Sequence, residues 1–105
     1  MNETAQAAGL LEVYGFATAL MAIDAACKAA SVTVGSIDKN KPANAESLPV
    51  PLLIMIKFRG SLSDVREALH AGGEAAKLNG GLAASHILPK PDGETERILS
   101  VNEIK

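Results

Sequence analysis

Hydrophobic and polar positions along the chain repeat in two ways, one with the alternation of strands and one with the spacing of helices. Four segments have an alternation or a β-branched composition that predicts strands: 9–14, 32–37, 52–59 and 82–88. Two longer segments, rich in small residues, have helical spacing: 16–30 and 62–78. The predicted order is therefore β-α-β-β-α-β. Two βαβ halves joined in this way form a ferredoxin-like α+β domain, with a four-stranded antiparallel sheet and both helices on one face.

The first predicted helix combines many alanines with a thin stripe of larger apolar residues. The stripe consists of Phe16, Leu20, Ile23 and Cys27. We expect this stripe to face the core, which makes Cys27 a small buried hydrophobe. Asp24 precedes Lys28 by four residues, a spacing that favours an ion pair on the helix surface.

The second predicted helix has clear signals at both ends. Ser61 can cap its first turn, and Asp64 suits the positive end of the helix. The run 79–81 contains two glycines, which stop a helix because they permit left-handed backbone. Inside the helix, Gly72 and Gly73 predict close packing against a neighbouring element.

The segment 38–51 breaks both patterns, since it has three prolines and little periodicity. Proline removes a ladder donor and restricts the backbone, so we expect a loop. A loop of this length inside a compact domain is usually functional. Beyond the last predicted strand, we expect a charged C-terminal tail over 92–105.

Composition places limits on the function. The chain has 105 residues, which predicts a single domain over 1–105. Hydrophobic residues make up 48% and aromatic residues 3%, so the core must be aliphatic, and association between copies would add burial. A net charge of −2 without a basic run argues against nucleic acid as a partner. The absence of a long apolar run argues against a membrane span, and the lone cysteine fits a reducing cytosol.

The sequence contains no pattern that would carry catalysis. His70 and His86 are the only histidines, and neither has a Cys, Asp or Glu cluster spaced for a metal. The strand 52–59 lacks the aromatic pair that would stack RNA bases. We therefore expect no catalytic residue, no metal and no cofactor.

Several short segments, taken in order, resemble hexameric bacterial microcompartment shell proteins. The opening strand and helix contain Gly9, Leu10, Leu11, Glu12, Gly15, Asp24, Lys28, Ala30 and Val32. Further along, three more segments fall in register with that family: Arg59-Gly60, Ala71-Gly72 and the run His86-Ile87-Leu88-Pro89-Lys90-Pro91. The resemblance covers about residues 8–99, which is the expected domain core, apart from the proline-rich segment.

The resemblance implies a non-enzymatic structural protein of a microcompartment shell in the cytoplasm. Its partners would be five further copies in a ring with a central pore, other shell proteins and, as an open candidate, encapsulated enzymes. In the family, the residue matching Lys28 and the basic residue matching Lys90, beside Pro91, lie at the hexamer edge. At the position of Lys90 the family usually has Arg, whose planar guanidinium offers a fork of donors that the Lys ammonium does not. The alternative for Lys28 is a solvated partner of Asp24.

The segment 38–51 replaces a short Gly/Ser turn that lines the pore in the family. By resemblance, the pore-loop residues are Asp38, Lys39, Asn40, Lys41, Glu46, Ser47, Leu48 and Pro49. Six copies would occlude the pore, form a collar or stay disordered, so the usual pore for small polar metabolites does not carry over. Some relatives hold iron–sulfur sites through a cysteine in this loop, which this chain lacks. A cytosolic ferredoxin-like regulatory or small-ligand-binding domain is the alternative function.

Overall fold

The structure is a computed structural model that describes residues 6–40 and 53–99. Its elements are β1 (Ala7–Tyr14), α1 (Phe16–Ala29), β2 (Thr33–Asn40), β3 (Leu53–Gly60), α2 (Leu62–Leu78), β4 (Leu82–Leu88) and α3 (Gly93–Leu99). The predicted β-α-β-β-α-β order is confirmed. The short helix α3 follows it, where a charged tail was expected.

The four strands form one antiparallel sheet in the order β2-β3-β1-β4. On one face, Leu11 and Val13 of β1 lie opposite Ile56 and Ile54 of β3. All four side chains are fully buried, in one cluster with Phe58 and the buried residues of α1 and α2. Both long helices therefore cover the same face of the sheet, as the ferredoxin-like prediction requires.

Small residues bring α1 and α2 together. A Cβ atom built on Gly72 would lie 3.1 Å from the carbonyl oxygen of Ala22 and 3.4 Å from the Cβ of Ala26. The residues that α1 buries are all alanines: Ala19, Ala22 and Ala26. The close packing predicted for Gly72 is confirmed, and its counterpart on α1 is the alanine face.

The expectation that the larger apolar stripe of α1 faces the core is confirmed for Ile23, which packs against the core, and is wrong for Phe16, Leu20 and Cys27. Phe16 is 48% exposed and Leu20 is 51% exposed. Cys27 is also exposed, so it is not the buried hydrophobe that was predicted. The physical reason is that alanines share the helical period of the stripe, and only the alanine face lets α1 approach α2 this closely.

The strand β2 is longer than predicted, because residues 38–40 belong to it. Asp38 lies opposite Met55, and Asn40 lies opposite Leu53. The loop prediction is wrong for these three residues. None of the three is a proline, so their backbone groups can pair with β3, and the proline-containing part of the segment comes later.

The helix α3 packs on the face of the sheet opposite α1 and α2. The guanidinium of Arg59, on β3, donates to both carboxylate oxygens of Glu96, each at 2.6 Å. The hydroxyl of Ser36, on β2, donates to the carbonyl of Leu99 at 2.9 Å, and Leu99 is buried. The start of the expected charged tail is therefore a docked helix, which begins where the backbone N–H of Thr95 donates to the Asp92 carboxylate.

Candidate assembly surfaces

The strand register divides the molecule into two ends. Asn40 and Leu53, which residues 41–52 connect, lie at the same end as Tyr14 and the start of α1. Lys28 lies in the last turn of α1 and Lys90 follows β4, so both lie at the other end. An eight-residue strand such as β1 spans about 26 Å. The flanking residues Asn40 and Leu53 and the two predicted edge lysines are therefore at opposite ends of the domain.

The predicted edge residues lie on the surface. The Nζ of Lys28 is 2.8 Å from a carboxylate oxygen of Asp24, and the two side chains are 76% and 63% exposed. The hydrogen bond to Asp24 raises the pKa of Lys28. Lys90 is exposed and Pro91 is half-buried. The surface pair predicted for Asp24 and Lys28 is confirmed, and it leaves the ammonium open to solvent.

The predicted pore-loop residues fall into two groups. Asp38 lies in β2 and pairs with the Nζ of Lys57 at 2.6 Å, with its own side chain 18% exposed. Lys39 and Asn40 also belong to β2. The remaining five lie outside the described residues: Lys41, Glu46, Ser47, Leu48 and Pro49. The charge of Asp38 is therefore compensated inside the domain.

One side of the domain carries an exposed apolar ridge at the start of α1. The α1 ridge consists of Phe16 and Leu20, which are four residues apart and 48% and 51% exposed. Met21 is 44% exposed but lies about 100° further round the helix than Leu20. Helix α1 connects β1 to β2, which is one edge strand of the sheet. Two large exposed apolar side chains on successive turns make this side of α1 a candidate protein–protein contact.

The other edge of the sheet carries a groove between α2 and β4. This α2–β4 groove has a volume of about 390 Å³. It is lined by Leu69, His70, Gly73, Glu74, Lys77, Leu82, Ser85, His86 and Ile87. Its position beside the edge strand β4 leaves it open to a neighbouring molecule. Both histidines of the chain thus lie at this groove.

Sequence reasoning found the spacing of Phe16 and Leu20 but assigned both side chains to the core-facing side of the helix. The groove was not predicted, because its lining comes from two elements that only the fold brings together. The Arg59–Glu96 and Lys57–Asp38 pairs were also missed. Their members are far apart in sequence, and no local spacing indicates them.

The described residues offer no site for a metal and no membrane helix. Within 6–40 and 53–99, no three His, Cys, Asp or Glu side chains come together in a way that could hold a metal ion. In the same two ranges, no helix has the length and apolar character that crossing a membrane requires.

Comparisons with known proteins agree with this picture. The family model described as the BMC domain matches residues 7–91. The chain is 32% identical to the carboxysome shell protein CcmK3 of Halothece sp., over 90% of this chain and 86% of that protein. It is 31% identical to the bacterial microcompartment shell protein PduA of Salmonella typhimurium, over 90% of each.

The fold also matches a solved structure. A microcompartment protein from Desulfitobacterium hafniense has a TM-score of 0.67 to this chain at 22% sequence identity. The match covers 95% of this chain and spans half the length of the other. At this identity the likeness concerns the fold alone.

The fold, the exposed surfaces and the similar proteins define a structural, non-enzymatic component of a protein shell. The chain belongs to the BMC domain family, whose members build the shells of bacterial microcompartments. The expected family is thereby confirmed.

Proposed function

We propose that the protein forms a homohexameric ring, and that these rings tile with other shell proteins in the shell of a bacterial microcompartment. The observation that carries this proposal is the presence of two different exposed surfaces on the two long helices. The α1 ridge lies on α1, which packs over β1 and β3, and the α2–β4 groove lies beside the edge strand β4. A protein with two different contact surfaces associates head to tail, and a head-to-tail contact closes into a ring when the rotation allows.

The chemistry of the two surfaces supports a contact between copies. The ridge is apolar, and the groove has apolar side chains from both of its walls, including Leu69 of α2 and Leu82 of β4. Burying one large apolar side chain contributes about 1.5–3 kcal/mol. The ring size of six comes from the family, in which hexamers with a central pore are typical.

The first experiment measures the mass of the particle in solution. Light scattering at micromolar concentration should give about six chains for the wild type. Phe16→Asp should shift the mass toward the monomer, because a carboxylate then faces an apolar contact. Ile98→Asp is the matched control, since Ile98 is 61% exposed on α3 and lies away from the ridge. Its mass should not change.

The circular dichroism spectrum of each variant must match the wild type, so that loss of mass does not reflect unfolding. A wild type that stays monomeric with an intact fold would contradict the ring. If Phe16→Asp and Ile98→Asp both kept the mass of the wild-type ring, the ring proposal would stand, but the α1 ridge would not be the interface between copies.

We also propose that Lys28, Lys90 and Pro91 lie where one ring meets the next. They are at the end of the domain away from Asn40 and Leu53. Lys28→Asp should leave the ring mass unchanged but weaken layers of rings, because it replaces a cation at the contact with an anion.

Electron microscopy of assembled layers reads out the Lys28 substitution. Lys28→Arg keeps the charge and should still give layers. Layers of Lys28→Asp that are as extensive as the wild type would show that Lys28 is only the solvated partner of Asp24.

We finally propose that residues 41–52 lie at the ring axis and modify the pore. The support is topological, because this segment joins Asn40 to Leu53 at the end opposite Lys28. Replacing 41–52 by Gly-Ser-Gly should keep the hexamer and widen the opening at the axis in an electron-microscopy map. A map that places the segment at the outer perimeter would refute this assignment while leaving the shell role intact.

A further inference from the structure

The ion pair between Lys57 and Asp38 is unusual for its burial. The Lys57 side chain is 8% exposed and that of Asp38 is 18% exposed, with the Nζ and Oδ2 atoms 2.6 Å apart. Lys57 lies opposite Ser36 on β2, and Asp38 is the next β2 residue on the same face. This is the face that α3 also contacts through Ser36 and Arg59. A buried ion pair is weak evidence for stability, and in some proteins a buried polar or ionic group is instead a device of structural specificity that fixes register.

Some interaction must determine the register of β2 against β3, because two features of the chain leave that register undetermined. The register shifts between Val34 and Ser36, so that Gly35 has no opposite residue. The connection over 41–52 is too long to dictate a register, unlike a two-residue turn. Pairing at the start of β2 therefore does not determine pairing at its end.

The competing register is the one without the bulge. If the pairing of Val34 with Phe58 continued without a shift, Gly35 would lie opposite Lys57, and Asp38 would lie opposite Ile54. A one-residue change exchanges the two faces of a strand. The Asp38 carboxylate would then lie on the helix-covered face, where Ile54 is fully buried, while Lys57 would remain on the other face.

We propose that Asp38 and Lys57 are positioning residues that select the bulged register and so position both ends of the 41–52 segment. Separating a buried ion pair leaves its charges poorly compensated, which is far more costly than losing an exposed pair. Ser36 and Ile37 add to the same preference, since Ser36 binds the Leu99 carbonyl and Ile37 packs against the core only in this register. The importance of the segment as a pore element rests on the proposed function, but the register itself does not.

The test reads the register by disulfide trapping in a Cys27→Ser background. Leu53→Cys combined with Asn40→Cys reports the bulged register, in which these positions are opposite each other. Leu53→Cys combined with Lys39→Cys reports the unbulged register. Mass spectrometry of the oxidised full chain gives the ratio of unbulged to bulged cross-link for each variant.

Asp38→Leu should raise the ratio of unbulged to bulged cross-link by at least about tenfold. The substitution removes the carboxylate, and leucine is suited to the apolar, helix-covered face on which position 38 lies in the unbulged register. The swapped pair, Asp38→Lys with Lys57→Asp, should return the ratio toward that of the parent. Glu74→Leu is the matched control, since it breaks the Lys77–Glu74 pair, whose side chains are 62% and 54% exposed. The control should leave the ratio unchanged.

Asp38→Asn, which preserves the side-chain shape, replaces Asp38→Leu if the latter fails to fold, and a smaller rise in the same direction is expected, because it removes the charge but keeps a polar group. An unchanged ratio in the Asp38 variants would overturn the proposal. So would a swapped pair whose ratio of unbulged to bulged cross-link is as high as that of the single variant. Because the ratio is read within one chain, a protein that fails to form hexamers would contradict the ring without affecting this result.

Discussion

Two adjacent glycines in α2 provide a sharp test of how the helices pack. A Cβ at Gly72 would meet the Ala22 carbonyl oxygen at 3.1 Å, a side-chain carbon of Leu11 at 3.3 Å and the Cβ of Ala26 at 3.4 Å. A Cβ at Gly73 would meet only a side-chain carbon of Leu82, at 4.0 Å. Both residues lie well inside the same helix, so Gly→Ala changes the helix propensity equally at the two positions.

The two substitutions should therefore differ in sign. Alanine is better than glycine inside a helix by about 0.8–1.0 kcal/mol, so Gly73→Ala should raise the free energy of unfolding by up to about 1 kcal/mol. Overpacking a tight contact costs about 1–3 kcal/mol, which at Gly72 cancels or exceeds that gain. We expect Gly72→Ala to lie between neutral and about 2 kcal/mol less stable. The difference between the variants should be about 1–3 kcal/mol.

Thermal unfolding measures this difference. For a domain of this size, 1 kcal/mol shifts Tm by about 4–8 °C, so Gly73→Ala should melt higher than the wild type and Gly72→Ala should not. Sedimentation must first show that all three proteins have the same mass, since Gly73 also lines the α2–β4 groove. Equal shifts for the two variants would refute the close approach of α1 at Gly72.

Two further substitutions test the attachment of α3 and the start of α2. Glu96→Gln should lower the free energy of unfolding at pH 7 by about 1 kcal/mol. This value is low for a charged hydrogen bond, because the Glu96 side chain is 36% exposed. The control Glu94→Gln, in a more exposed pair with Arg97, should change the free energy of unfolding little. The hydrogen bonds from Arg59 lower the pKa of Glu96, so this stabilisation is present above the ordinary carboxyl range and is lost as the pH falls through the lowered pKa. Urea unfolding at pH 7 and pH 3 checks this direction. An effect of Glu96→Gln that is equal at both pH values would contradict it. Ser61→Ala should cost about 1 kcal/mol, because the Ser61 hydroxyl accepts from the backbone N–H of Asp64 at 3.1 Å, and unchanged urea unfolding would show that this cap contributes nothing.

Local patterns in the sequence account for most of the elements. The alternation in 53–59 predicts which β3 side chains face the helices, and Ile54, Ile56 and Phe58 are buried accordingly. The end of α2 follows from Gly80, whose φ of 68° is one that glycine adopts without strain. These features depend on neighbours within a few residues, so a single segment contains all the information.

The residues proposed for the contact between copies could be placed only with the tertiary structure. Alanines and large apolar residues follow the same helical period on α1, and nothing within the helix indicates which set faces inward. The answer comes from α2, where Gly72 admits only a surface as flat as Ala22 and Ala26, so that Phe16 and Leu20 are left outside.

The sequence by itself determined the order of strands and helices, the ends of α2 and the resemblance to a shell family, because periodicity, caps and short motifs are local. Only the tertiary structure decided that Asp38 belongs to the sheet and pairs with Lys57, since its partner lies on a different strand. The same holds for the docking of α3 through Arg59 and Glu96. Contacts of this kind depend on register and topology, and these are properties of the whole chain.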